Sequence, residues 1–166
     1  MATTTFNDEV IRTNGELPAV GEPLPSFVLT GTDLADVTNE SFAGRTIVFN
    51  IFPSVDTGVC AMSVRQFNKM ASELPNTVVI CASMDLPFAL GRFCGAEGIE
   101  NVISASAFRS DFGHKFGVTM IDGGLQGLFA RCIVVADAAG NVIYTDITSA
   151  VGDEPNYEAA VLAVIS

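Results

Sequence analysis

Two runs that polar residues hardly interrupt, RTIVFNIF at 45–52 and TVVICAS at 77–83, constrain the fold more than any other feature of the chain. A strand with one wet face alternates apolar with polar, whereas an unbroken apolar run needs cover on both faces. Each run therefore predicts a strand in the middle of a sheet with packing above and below. Between them Cys60, Val64, Phe67, Ala71 and Leu74 recur at steps of four, three, four and three, the spacing of one helix face. Residues 59–74 are predicted helical, and the segment reads as a βαβ unit.

Flanking segments extend that unit. TTTFNDEVIRTNGELP reads as a hairpin with Asn7-Asp8 at its turn and Asn14-Gly15 closing the second arm. SFVLTGTD is a short strand, and TNESFAG, with Thr38 or Asn39 as cap and Gly44 as stop, predicts one or two helical turns. LPFALGRFCGAEG reads as a helix ending near Gly95, and NVISAS as a strand. FRSDFGHKFG is a further helix, LFARCIVVAD and NVIYTDI pair across DAAGN, and EPNYEAAVLAVI is a terminal helix entered through Pro155. No linker, repeat or low-complexity stretch divides the chain, so residues 1–166 are expected to form one domain. The expected class is α/β with a thioredoxin-like architecture: a central mixed β-sheet flanked by helices, preceded by the N-terminal β-hairpin.

Composition excludes partners more than it names them. Although 49% of residues are apolar, no apolar run approaches the roughly 20 residues that span a bilayer, so no membrane role is expected. Nineteen acids against eight bases leave a net charge of −11, which repels a phosphate backbone, and nucleic acid is not an expected partner. MATTTFNDEV has no positive start, apolar middle or small-residue cleavage pattern, so the expected location is cytoplasmic.

Four cysteines stand at 60, 81, 94 and 132, none in a C-x-x-C pair or a Cys/His spacing, and His114 is the sole histidine. No metal or other cofactor is expected, and a histidine-activated nucleophile is disfavoured. Cys81 and Cys132 lie in buried-strand runs and read as packing, with Cys132 on the sheet face opposite Arg131 because strand side chains alternate. Cys60 follows PSVDTG at a helix start, where unpaired N–H groups and about half a positive charge favour a thiolate. It also begins the apolar stripe, so periodicity alone leaves a nucleophile and a core residue equally open. Arg131 puts a permanent cation into an apolar strand. Either it reaches a surface carboxylate, or it faces the helix start and stabilises an anionic Cys60 with a bound polar substrate.

These residues resemble a family. NIFPSVDTGVC, DLPFALGRFCGAEGIENV, FRSDFG, GLFARCIVV and EPNYEAAV are similar to segments of bacterial thiol peroxidases, the atypical two-cysteine peroxiredoxins, from about residue 15 to the end. The likeness is specific because P-x-x-x-T-x-x-C, a second cysteine in RFCGAEG and an arginine in a late strand occur in that order. Cys81, Cys132, Met62 and Gly91 depart from the familiar pattern, and the first fourteen residues match least.

The resemblance implies that Cys60 is the peroxidatic cysteine and Cys94 the resolving one, with Thr57, Pro53 and Arg131 as supports. Pro53 would end the strand and shield the pocket, the Thr57 hydroxyl would bond the sulfur and the peroxide, and Arg131 would hold the thiolate. It further implies reduction of hydrogen peroxide or organic hydroperoxides through a sulfenic acid and a Cys60–Cys94 disulfide, recycling by thioredoxin, and a homodimer. A redox-sensing binding protein with negligible turnover would carry the same motifs.

Overall fold

The computed structural model describes residues 1–166. Strands β1 (Thr3–Phe6) and β2 (Glu9–Arg12) form an antiparallel hairpin of their own. Its turn is Asn7-Asp8, both left-handed at φ 53° and 64°, a conformation that asparagine and aspartate tolerate and that matches the right-handed twist of the two arms.

The remaining strands are β3 (Val28–Gly31), β4 (Asp36–Thr38), β5 (Thr46–Ile51), β6 (Thr77–Ser83), β7 (Ile103–Ser106), β8 (Cys132–Ala136) and β9 (Val142–Ile147). They build one sheet in the order β4-β3-β7-β6-β5-β8-β9. β5, β6 and β7 run parallel, and the other pairings are antiparallel. The sheet is therefore mixed, with the two apolar runs at its centre. The helices are α1 (Gly58–Ala71), α2 (Pro87–Glu97), α3 (Phe112–Phe116) and α4 (Tyr157–Ile165).

Strand alternation sorts side chains into two cores. Ile47, Phe49 and Ile51 of β5, with Val78 and Ile80 of β6, face a layer that includes Phe112 and Phe116 of α3 and Ile11 of the hairpin. Phe49 meets Phe27 and Phe116 edge-on at 5.1 and 5.3 Å between ring centroids. Val48, Val79 and Cys81 face the opposite way, against Cys60, Val64 and Phe67 of α1, Leu90 of α2 and Ala160 of α4. β8 obeys the same rule: Cys132 joins the α3 side, while Ile133 and Val135 join the α1 side.

The structure moves several predicted boundaries. α1 ends at Ala71, and Leu74 lies in the turn that follows. α2 runs through Gly95 to Glu97, because the left-handed residue that closes it is Gly98 (φ 65°), whose N–H donates to the Cys94 carbonyl. A glycine stops a helix where it adopts that conformation, and Gly95 does not. α4 begins after Pro155, with Asn156 as its cap accepting the Ala159 N–H at 3.0 Å. β4 carries too little apolar pattern to have been predicted. β8 is shorter than its apolar run and begins at Cys132, so Arg131 stands just outside the ladder, on the parity of Ile133.

Candidate active site

β5 ends at Ile51, and the chain turns through Pro53 to Thr57 before α1 begins. The turn is tied to itself: the Thr57 N–H and hydroxyl both donate to the Ser54 carbonyl, at 3.2 and 3.0 Å, and the Asp56 N–H donates to Ser54 Oγ at 3.1 Å. Thr57 is the N-cap in extended geometry, but with its hydroxyl committed to Ser54 it makes no side-chain cap. The expected contact between Thr57 and the sulfur is thus absent, and the first-turn donors keep their polarity for the site. Pro53, with no N–H to leave unpaired, sits where the strand stops.

Cys60 lies in that first turn and is fully buried. Arg131, 2% exposed, reaches it from the end of the sheet: its Nη2 donates to Cys60 Sγ at 3.2 Å and its Nε to the Val151 carbonyl at 3.0 Å. Its Nη1 is buried without a protein partner. None of the ion pairs in the chain involves Arg131. Of the two readings that the sequence left open, the arrangement is the buried one. An unpaired guanidinium is costly away from water, and Cys60 is the one ionisable group that it hydrogen-bonds.

A cavity of about 260 Å³ opens beside Arg131, lined by Pro53, Ser54, Thr57, Gly58, Val59 and Arg131 on one side, and Cys60 lies buried behind this lining. Phe6 of the hairpin, Leu125, Leu128, Val151 and Gly152 complete its wall. Sequence reasoning missed these wall residues, since they come from segments that only folding brings together.

Cys94 is not at this site in the reduced chain. It is half-buried on α2, with its Sγ 3.2 Å from Ser104 Oγ, and it lines a separate cavity with Thr32, Asp33, Val37 and Ile99. All four cysteines are free thiols. Burial pushes the Cys81 thiol up to about 12, against a smaller opposing effect of the Asn50 amide 3.7 Å away. Burial likewise raises Cys132, with Asp146 adding to the effect.

Asp85 also escaped notice. Its carboxylate accepts the Ser54 hydroxyl and the Val55 N–H, at 2.7 and 2.9 Å. A signal was present: β5 and β6 are adjacent parallel strands, so residues just beyond their carboxyl ends meet in the crevice where α/β sheets place their sites.

A sheet of this order with a cysteine and a buried arginine at its carboxyl edge defines a thiol-based redox protein of the thioredoxin-like class. The Redoxin family matches residues 19–161. A thiol peroxidase of Mycobacterium tuberculosis (strain ATCC 25618 / H37Rv) is 55% identical over 164 residues, covering 99% of each chain. One from Corynebacterium glutamicum is 53% identical over the same span. Among solved structures, a peroxiredoxin-like protein from Aquifex aeolicus superposes with a TM-score of 0.93 at 32% identity, covering 98% of this chain and 95% of that one. Thiol peroxidase from Chromobacterium violaceum gives 0.87 at 27%, covering 95% and 91%. The chain belongs to the Redoxin family, among its thiol peroxidases, and is a peroxide-reducing enzyme. No helix is long and apolar enough to cross a membrane.

Proposed function

We propose that Cys60 is the peroxidatic nucleophile and that turnover runs through a Cys60–Cys94 disulfide. The observation that carries this reading is the buried Arg131 guanidinium, which has no carboxylate partner and donates to Cys60 Sγ at 3.2 Å. A thiolate there completes the charge that the arginine lacks, and a thiolate, not a thiol, is the attacking species.

The peroxide enters between Thr57–Val59 and Arg131. Cys60 sulfur attacks one peroxide oxygen, the O–O bond breaks, and the leaving alkoxide takes a proton to become an alcohol, or water from hydrogen peroxide. Cys60 is now a sulfenic acid. Arg131, through the unpartnered Nη1, stabilises negative charge as it moves to the leaving oxygen. The Cys94 thiol then attacks the sulfenic sulfur, forming the disulfide and releasing water. A dithiol reductant, which we take to be thioredoxin, restores both thiols by exchange and leaves as its own disulfide.

The apolar wall of Phe6, Leu125, Leu128 and Val151 favours organic hydroperoxides over hydrogen peroxide. Four unpaired thiols support a cytoplasmic setting. Exposed Leu86 and Phe88 at the start of α2 support a homodimer. The test is Cys60→Ser: a serine hydroxyl stays protonated, so thioredoxin-coupled peroxide loss should vanish while the far-ultraviolet circular dichroism is retained. Appreciable turnover in that variant would refute the assignment.

A further inference from the structure

The chemistry above makes no use of Asp85, yet its carboxylate is among the most heavily bonded in the chain. Oδ1 accepts the Ser54 hydroxyl at 2.7 Å, and Oδ2 accepts the Val55 N–H at 2.9 Å and the Ser83 hydroxyl at 2.6 Å. The Asp85 N–H donates to Ser83 Oγ at 3.2 Å, and the Asp85 carbonyl accepts the Ser106 hydroxyl. No cation pairs with it. The charge is held by neutral donors alone: Ser54 and Val55 belong to the β5–α1 loop and Ser83 ends β6, while Asp85 itself stands in the β6–α2 loop.

Those loops are the two that matter for the reaction. Ser54 fixes Thr57 through its carbonyl, and Thr57 is the cap of the helix whose first turn carries Cys60. Asp85 itself immediately precedes Leu86, the cap of the helix that carries Cys94. One carboxylate thus ties the entry of α1 to the entry of α2. In the reduced chain, Cys60 faces Arg131 and Cys94 faces Ser104, so forming the disulfide breaks these contacts.

We propose that Asp85 is a positioning residue that holds the Ser54–Thr57 turn where Cys60 meets Arg131, and that its hold opposes the movement that joins Cys60 to Cys94. This rests on the roles proposed above for the two cysteines. Its consequence is a pair of effects of opposite sign: loosening the clamp slows attack on peroxide and speeds disulfide formation. Faster disulfide formation also protects Cys60, because a lingering sulfenic acid meets a second peroxide, which oxidises it to sulfinic acid and leaves as alcohol or water.

Asp85→Ala removes every side-chain acceptor, whereas Asp85→Asn keeps one oxygen for the Val55 N–H and turns an amide donor toward Ser54. Rapid-quench mass spectrometry with cumene hydroperoxide reads Cys60 oxidation in a Cys94→Ser background, and disulfide formation and sulfinic acid in chains that keep Cys94. Asp85→Ala should slow oxidation by about tenfold, the change expected for losing a charge-assisted hydrogen bond, and Asp85→Asn by less. Both should form the disulfide faster and collect less sulfinic acid than the wild type at equal peroxide. If Asp85→Ala does not fold, Asp85→Asn decides the matter by the same two signs. Rates that fall together, or disulfide formation that is unchanged or slower, overturn the proposal. Non-reducing peptide mapping of the oxidised wild type separates the two layers: no Cys60–Cys94 bond means the cysteine assignment has failed, whereas that bond with wild-type rates in both variants means only the role of Asp85 has.

Discussion

Three buried thiols in one chain sit in different electrostatic surroundings. Cys60, Cys81 and Cys132 are all 0–1% exposed, but only Cys60 touches a cation. Desolvation holds Cys81 in its thiol form, at about 12, and raises Cys132 as well. Neither should alkylate in the native protein at pH 8, and both should do so after denaturation, as thiol-labelling mass spectrometry would show. Cys81→Ala and Cys132→Ala are accordingly expected to keep peroxidase turnover, with a loss in stability from the space they leave. For Arg131→Met the expectation is the reverse: a folded protein whose kcat/KM for peroxide falls by about 10²-fold, the effect of removing one donor from a developing anion. An unchanged kcat/KM would leave Arg131 a packing residue. The sequence marked Cys60 and Arg131 as candidates, a cysteine at a helix start and an arginine in an apolar run, but left two readings open for each until the family resemblance was added. Asp85 was not marked, since a carboxylate after a strand looks like any surface acid until its donors are known.

At the scale of elements, α2 combines strength at its end with weakness inside. The Gly98 N–H and the Ile99 N–H, the latter at 2.9 Å, both close on the Cys94 carbonyl, so the cap is built on the residue proposed above as the resolving thiol. Gly95 sits one step away with nothing within 4 Å of where a Cβ would stand. Gly95→Ala should therefore stabilise the helix without a clash and, if α2 must unwind, slow disulfide formation roughly twofold to fivefold, the ratio that a helix-propensity gain of ~0.5–1 kcal/mol implies. Equal rates by rapid quench would show that α2 stays wound. The hairpin offers a pH-dependent test. Arg12 donates to both oxygens of Asp122 at 2.9 Å, holding that carboxyl down at about 2. Because the folded value lies below the unfolded one, this anchor is complete above about pH 4 and is lost as the pH falls through the folded value. Amide protection in β1 and β2, taken relative to the intrinsic exchange rate at each pH, should fall on acidification before that of β5 and β6, and Asp122→Asn should show the lowered protection already at pH 7. Phe6 on that hairpin lines the cavity, so the same variant should also weaken discrimination in favour of bulky hydroperoxides.

At the scale of the whole molecule, Cys60 belongs to the core on one face of the sheet, while the cavity wall of Phe6, Leu125, Leu128 and Val151 packs with the core on the other. Phe49 is fully buried among Phe27, Phe112 and Phe116, on the side away from Cys60. Truncating it to alanine should cost about 3–5 kcal/mol in urea denaturation, because a large ring leaves a void that its neighbours fill only in part. At temperatures where the variant remains folded, its kcat/KM should stay near that of the wild type. A large loss of activity in folded Phe49→Ala would mean that the two faces are coupled through β5.

What the sequence determined by itself was periodic or chemically singular. The two central strands and α1 were legible because burial on both faces erases alternation and one-sided burial imposes helical spacing. The Asn7-Asp8 turn was legible from its tolerance of left-handed backbone, and Arg131 stood out as a cation in an apolar run, whereas Cys60 fitted a core position as well as a reactive one. Only the tertiary structure decided the rest. Arg131 could have reached a surface carboxylate, and its burial against Cys60 follows from β8 lying antiparallel beside β5, a pairing between residues far apart in the chain. The separation of Cys94 from Cys60, the apolar wall of the cavity and the Asp85 clamp depend likewise on contacts between distant segments. Local pattern records which face of an element is buried but carries no information on what will cover it.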